Sequence, residues 1–116
     1  MNHRLKTYLR PYRRRWGLTE PELAFLLGLK SESVISRVER GGRPPTLKIA
    51  LACQVVFGTP PEELFPGLFE ATEQIVRNRA GKLRQKLQGD ARSSTATKLE
   101  LLDDVIARAI RRGRQI

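Results

Sequence analysis

The chain has 116 residues, 22 of them Lys or Arg and 12 Asp or Glu, giving a net charge of +10. That length suits one small domain, and 40% hydrophobic residues supply enough apolar material for a packed core, so global disorder is excluded despite the charge. The single cysteine, Cys53, excludes an intramolecular disulfide and suits a reducing compartment, while the single histidine, His3, falls in a terminus expected to fray. So large a positive surplus points to a polyanionic partner, either nucleic acid or an anionic membrane surface. No apolar run is long enough to span a bilayer and the N-terminus lacks a secretory apolar stretch, so a soluble, cytoplasmic protein is expected.

Residues 1–16 hold Arg4, Lys6, Arg10, Arg13, Arg14 and Arg15 with no acid among them. Tyr8, Leu9, Tyr12 and Trp16 interleave this run at helical spacing, which predicts a first helix with an apolar stripe. Pro11 requires that helix either to begin near Tyr8 or to kink. Thr19 caps a second helix with Leu23, Ala24, Leu26 and Leu27 inward, ended by Gly28. Ser31 is the expected N-cap of a third helix of two to three turns, with Val34, Ile35 and Val38 inward and Gly41 and Gly42 at its end. Thr46 caps a fourth, nearly all-apolar helix carrying Leu47, Ala50, Leu51, Val55 and Val56, which should lie centrally, and Gly58 stops it. A Thr59/Glu62 capping box with Pro60 at the first helical position opens a short fifth helix through Phe65.

Pro66 and Gly67 mark a break or bend, beyond which Leu68, Thr72, Ile75, Val76, Leu83 and Leu87 mark a long amphipathic sixth helix. Residues 89–95 read as a polar loop. A Thr97/Glu100 capping box then precedes a last helix with Leu99, Leu102, Val105, Ile106, Ala109 and Ile110, ending near Gly113. No strand alternation or internal repeat occurs, so the fold class is all-α: a five-helix domain over residues 1–65 and two amphipathic helices over residues 66–116.

Two helices joined by a short turn at Gly28, with others packed behind, match the arrangement that places a recognition helix in the DNA major groove. The segment Leu5–Phe65 resembles the phage-repressor-like (Cro/repressor, xenobiotic-response-element type) helix-turn-helix family. The resemblance rests on Leu23-Ala24, Leu27-Gly28, the string from Ser36 to Gly41, and Pro45 before Leu47. The chain has one residue more than the common spacing between Gly28 and Ile35, which belongs in the turn near Leu29 and Lys30. It also has Glu20 where many relatives carry a phosphate-binding glutamine, so that contact is not expected here.

The outward residues of the third helix are the candidate base readers. Arg37 can pair bidentately with guanine, Glu32 can accept from a cytosine amino group, and Ser33 or Ser36 can bond bases or phosphate. The resemblance places Glu32, Ser33 and Arg37 at base-contacting positions. The structural alternatives are that Glu32 only complements the helix dipole and that Arg37 only touches phosphate. Arg10, Arg14, Thr19, Lys30, Arg40, Arg43 and Lys48 form the candidate phosphate-binding set, against the alternative of a solvated basic face. The resemblance further implies a structural ion pair between Arg13 and Glu39.

No nucleophile and base can be paired and no phosphate-cradling Gly-rich loop or metal-ligand spacing occurs, so no catalytic residues, no metal and no cofactor are expected. Asp103 and Asp104 point about 100° apart on a helix, a solvated face, and Cys53 reads as a small core residue. Leu99, Leu102, Ile106 and Ala109 form a stripe expected to close a homodimer, because one helix-turn-helix reads too few base pairs alone. The expected protein is a sequence-specific double-stranded DNA-binding regulator, a repressor with no membrane role. The alternatives are an antitoxin-like module binding a protein partner through its C-terminal helices, and a nonspecific or RNA-binding basic protein.

Overall fold

The structure, a computed structural model, describes residues 5–114, with side chains described through Arg108. His3 and Arg4 lie outside the described residues, as do the side chains of Ala109 and Ile110. The described chain is wholly helical: α1 Leu9–Arg15, α2 Glu20–Leu26, α3 Ser33–Glu39, α4 Leu47–Phe57, α5 Pro61–Leu64, α6 Pro66–Leu87 and α7 Ser93–Arg114. It divides into two compact units, residues 1–70 and 71–116, with the division falling inside α6.

In the first unit, α1 starts at Leu9, so Pro11 falls in the first turn, where its missing N–H costs no helical bond and no kink is needed. Thr19 caps α2 reciprocally: its Oγ1 accepts the Glu22 N–H at 3.2 Å and Glu22 Oε1 accepts the Thr19 N–H at 2.9 Å. The Thr19 N–H bonded to the Glu22 carboxyl, with the Thr19 side chain second, holds that carboxyl below its usual range. Both α2 and α3 end on a glycine in the left-handed region, Gly28 at φ 72° and Gly41 at φ 74°. At Gly28 the chain reverses through Gly28 N–H to Phe25 O (3.1 Å) and Leu29 N–H to Ala24 O (2.9 Å). At Gly41 the same pattern joins Gly41 N–H to Val38 O (3.0 Å) and Gly42 N–H to Arg37 O (3.1 Å). A side chain at either glycine would carry the left-handed strain of an L-residue.

The core gathers Leu9 from α1, Leu23 from α2, Ile35 and Val38 from α3, Cys53 from α4 and Leu64 from α5, all 0–1% exposed. Truncating one such Leu or Ile to Ala typically costs about 2–5 kcal/mol. Tyr12 and Phe57 meet edge to face at 5.9 Å, tying α1 to α4. The segment before α1 threads between two glycines: a Cβ at Gly41 would sit 2.5 Å from the Leu5 carbonyl oxygen, and one at Gly67 would overlap the Lys6 amide. Backbone bonds from Gly67 N–H to Lys6 O (3.0 Å) and from Tyr8 N–H to Leu64 O (2.8 Å) fix it there.

Several local expectations change in the folded chain. Trp16 is 65% exposed and Leu26 51%, so the stripes of α1 and α2 are narrower than their periodicity suggests. The fourth helix is not buried all round: Ile49, Ala50 and Cys53 face the core, while Leu47, Leu51 and Val55, one turn apart, lie 49–85% exposed. One layer of partners covers only one side of α4. Helix α3 begins at Ser33, after Glu32, yet Ser31 Oγ still accepts the Ser33 N–H at 3.1 Å, so it satisfies an end donor from one position further out. The Thr59/Glu62 box does not form. Pro60 is extended, α5 starts at Pro61, and the Thr59 hydroxyl donates to Phe57 O at 3.3 Å. The Thr97/Glu100 box does not form either, because α7 begins four residues earlier, at Ser93.

The second unit consists of the later part of α6 and α7, joined by a turn with Gly89 at φ 87°. Arg84 Nε donates to Asp103 Oδ1 at 2.6 Å and links the two helices. Its buried described residues are Ala80, Thr95 and Leu102. In the turn, Asp90 Oδ1 accepts the Arg92 N–H at 3.0 Å and Asp90 Oδ2 accepts from the Arg92 guanidinium at 2.6 Å, which pulls the Asp90 carboxyl down to about 2.

Candidate nucleic-acid interface

The face of α3 follows from its seven-residue length. At about 100° per residue, Ile35 and Val38 point one way and Ser33, Ser36, Arg37 and Arg40 the other. Ile35 and Val38 are 0% and 1% exposed, whereas Ser33, Arg37 and Arg40 are exposed and Ser36 is half-buried. Glu32 stands at the N-cap, exposed and without a capping bond to the helix. Four of the candidate readers thus flank one another over two turns, on a helix whose opposite side is locked in the core.

What locks α3 is also electrostatic. Glu39, with a fully buried side chain, accepts from Arg13 Nε at 2.6 Å and from Arg13 Nη2 at 3.1 Å, a bidentate pair between α3 and α1. Arg13 spends its remaining reach on Leu18 O at 2.8 Å, just beyond α1. The Glu39 bonds raise the Arg13 pKa above its ordinary value. Arg10 also reaches Glu39 Oε1, at 3.4 Å, so this candidate phosphate binder is partly tied to the scaffold while 48% of its side chain stays exposed. Glu20 adds its charge to the field around Arg13, and its Oε2 is buried without a hydrogen-bond partner. A carboxylate in that place repels a phosphate instead of binding one.

The other candidates sit around this frame. Arg14, Lys30, Arg43 and Lys48 are exposed. Thr19 is exposed, and its side chain is engaged in the α2 cap, where its Oγ1 accepts the Glu22 N–H and its hydroxyl also bonds the Glu22 carboxyl. Arg40 folds back to donate from Nε to Ser36 O at 3.3 Å, shielding part of the face it shares with Ser36. Leu102 is 8% exposed and Leu99 and Ile106 are half-buried in the single chain.

Two further residues border this face. Ser31 and Ser33 hydroxyls lie 2.9 Å apart, so Ser31 orients a candidate reader; the Ser-x-Ser spacing was the available signal. Phe25, 83% exposed, rims a shallow concavity with Pro21, Lys30, Ser31 and Glu32 beside the start of α3. No periodicity marks it, since it lies off the buried stripe of α2. Burial pushes the Cys53 thiol up to about 12, which keeps it protonated and unreactive. Among the described residues, no His/Cys/Asp/Glu cluster could hold a metal and no helix is long and apolar enough to cross a membrane.

A short glycine turn between α2 and α3, with α3 pinned to α1 and its far side exposed, defines a helix-turn-helix protein. A helix-turn-helix family profile matches residues 10–64. An uncharacterized HTH-type transcriptional regulator from Archaeoglobus fulgidus is 33% identical over 61 residues, covering 53% of this chain and 86% of that protein. No solved structure matches the chain. The chain belongs to the helix-turn-helix family of Cro/repressor type, a family of DNA-binding transcription regulators.

Proposed function

We propose that the protein is a sequence-specific, double-stranded DNA-binding repressor that acts as a homodimer in the cytoplasm and carries out no catalytic step. The observation that carries this reading is the outward face of α3, where Ser33 and Arg37 stand one turn apart on a helix held from behind by Ile35, Val38 and the Glu39–Arg13 pair. In the major groove, Arg37 pairs with a guanine while Ser33, Ser36 and Glu32 contact neighbouring bases or phosphate. Arg10, Arg14, Thr19, Lys30, Arg40, Arg43 and Lys48 hold the flanking phosphates and contribute affinity without sequence information. Occlusion of a promoter follows from occupancy of such a site.

The dimer reading rests on recognition arithmetic, since two half-sites supply the selectivity that one α3 cannot. Leu99 and Ile106 offer the remaining apolar surface for the contact. Selection of bound duplexes from a random pool tests the reading: it should return a palindrome with half-sites about one helical turn apart. On that site, Arg37→Ala should weaken binding by about 1–3 kcal/mol with little loss on random DNA. Equal losses on both would make Arg37 a phosphate clamp, and a pool that never enriches would remove sequence specificity altogether.

A further inference from the structure

The positive charge of this chain does not follow its helix-turn-helix unit. Residues 1–70 hold eleven basic and seven acidic side chains, whereas residues 71–116 hold eleven basic and five acidic in a shorter stretch. The second unit therefore carries +6 of the net +10. Within it, Gln74–Gly89 contains Arg77, Arg79, Lys82, Arg84 and Lys86 and no acid.

The helix sorts these five cations into two groups. Arg84 faces α7, where Asp103 holds it, and half-buried Arg77 lies on the same side of α6. Arg79, Lys82 and Lys86, at i, i+3 and i+7, share an arc of about 60° and span roughly 10 Å along the axis. All three are exposed and form no ion pair among the described residues. The helix dipole accounts for a cation in the last turn, such as Lys86, but its effect fades before Lys82 and Arg79. A ridge of three unpaired charges on one face raises self-repulsion and is not explained by folding.

We propose that this face of α6 is a second DNA-contacting surface, which binds the phosphate backbone of duplex DNA independently of base sequence. It rests on the reading of the protein as a DNA binder and adds a second contact to that reading. Duplex DNA is the polyanion that a chain of this family already engages, and tethering makes a second, weak contact effective without high intrinsic affinity. A second copy is a poorer occupant because both of its units carry a net positive charge, +4 over residues 1–70 and +6 over residues 71–116, which repels the ridge. A lipid surface is also disfavoured, because within the second unit the arc holds Ile75 as its one large apolar residue, with Leu83 beside it, and no aromatic anchor.

The test is the salt dependence of binding by the full chain to a long duplex of random sequence, for wild type and for Arg79→Gln/Lys82→Gln/Lys86→Gln. Glutamine has nearly the helix propensity of lysine and arginine, so helicity should persist and is checked by circular dichroism. Each lost phosphate contact lowers the slope of log K against log salt by about 0.9, so the variant should lose about 2–3 units of slope. If the triple variant is not folded, Arg79→Gln/Lys82→Gln, which keeps the last-turn Lys86, should lose about 2. An unchanged slope in a folded variant overturns the proposal and leaves the α3 reading standing. A wild-type protein that binds no duplex overturns both. Loss of binding to anionic phospholipid vesicles with the duplex slope unchanged assigns the ridge to lipid and overturns the proposal.

Discussion

The two units hold themselves together by different means. The first packs eleven buried apolar residues into one cluster and adds the desolvated Arg13–Glu39 pair, and with these it fixes α3. The second has only Ala80 and Leu102 as buried apolar residues among those described, and it joins its helices through the half-exposed Arg84–Asp103 pair. An exposed pair of that kind is worth little in high dielectric, whereas a buried one is costly to break. Precise placement of a reading helix needs the first kind of construction. A surface that meets phosphates by charge alone tolerates the second.

The sharpest test of that contrast is Glu39→Ala, which leaves the Arg13 guanidinium buried without its carboxylate and should cost about 3–5 kcal/mol. The sole tryptophan, Trp16, lies in the first unit, so its fluorescence in a denaturant titration reports this loss. An unchanged midpoint would show that α3 is held by packing alone. Next in size, Leu23→Ala should destabilise the first unit by about 2–5 kcal/mol, read as a fall in the same midpoint. Leu102→Ala should leave the Trp16 transition in place and reduce only the helical signal of the second unit. If both shift Trp16 equally, the two units unfold as one and the comparison fails.

Gly41→Ala imposes a left-handed alanine, costing about 1–2 kcal/mol from the backbone strain, and its Cβ crowds the Leu5 carbonyl oxygen, which adds to that cost. Amide exchange at Gly41 and Gly42 should accelerate in that variant. The smallest concerns pH. Asp90 is pulled below its ordinary value in the folded chain by Arg92, so its contribution is complete above the unfolded carboxyl range and is lost as pH falls toward about 2. Glu22, lowered by its Thr19 cap, follows the same sign in the first unit. Asp90→Asn should flatten this acid loss in the second unit only, as followed by residue-resolved chemical shifts.

The sequence alone determined the helical class, the glycine ends of α2 and α3, the caps at Thr19 and Thr46, and the inward set Ile35 and Val38. Each is a local matter of periodicity or of one side chain bonding a nearby N–H. Tertiary structure decided what depends on a distant partner. Leu47, Leu51 and Val55 look like core residues by periodicity, but which side of α4 is covered depends on where the other helices pack. Arg10 reads as a free phosphate binder, yet it shares Glu39, 29 residues away, with Arg13. Thr59 and Thr97 carry the spacing of a cap, and Pro60 with Ser93 moved the helix starts elsewhere. The charges of α6 are plain in the sequence. Which of them α7 neutralises, and which remain as an exposed ridge, is set only by the Arg84–Asp103 contact, because pairing depends on helix facing and not on composition.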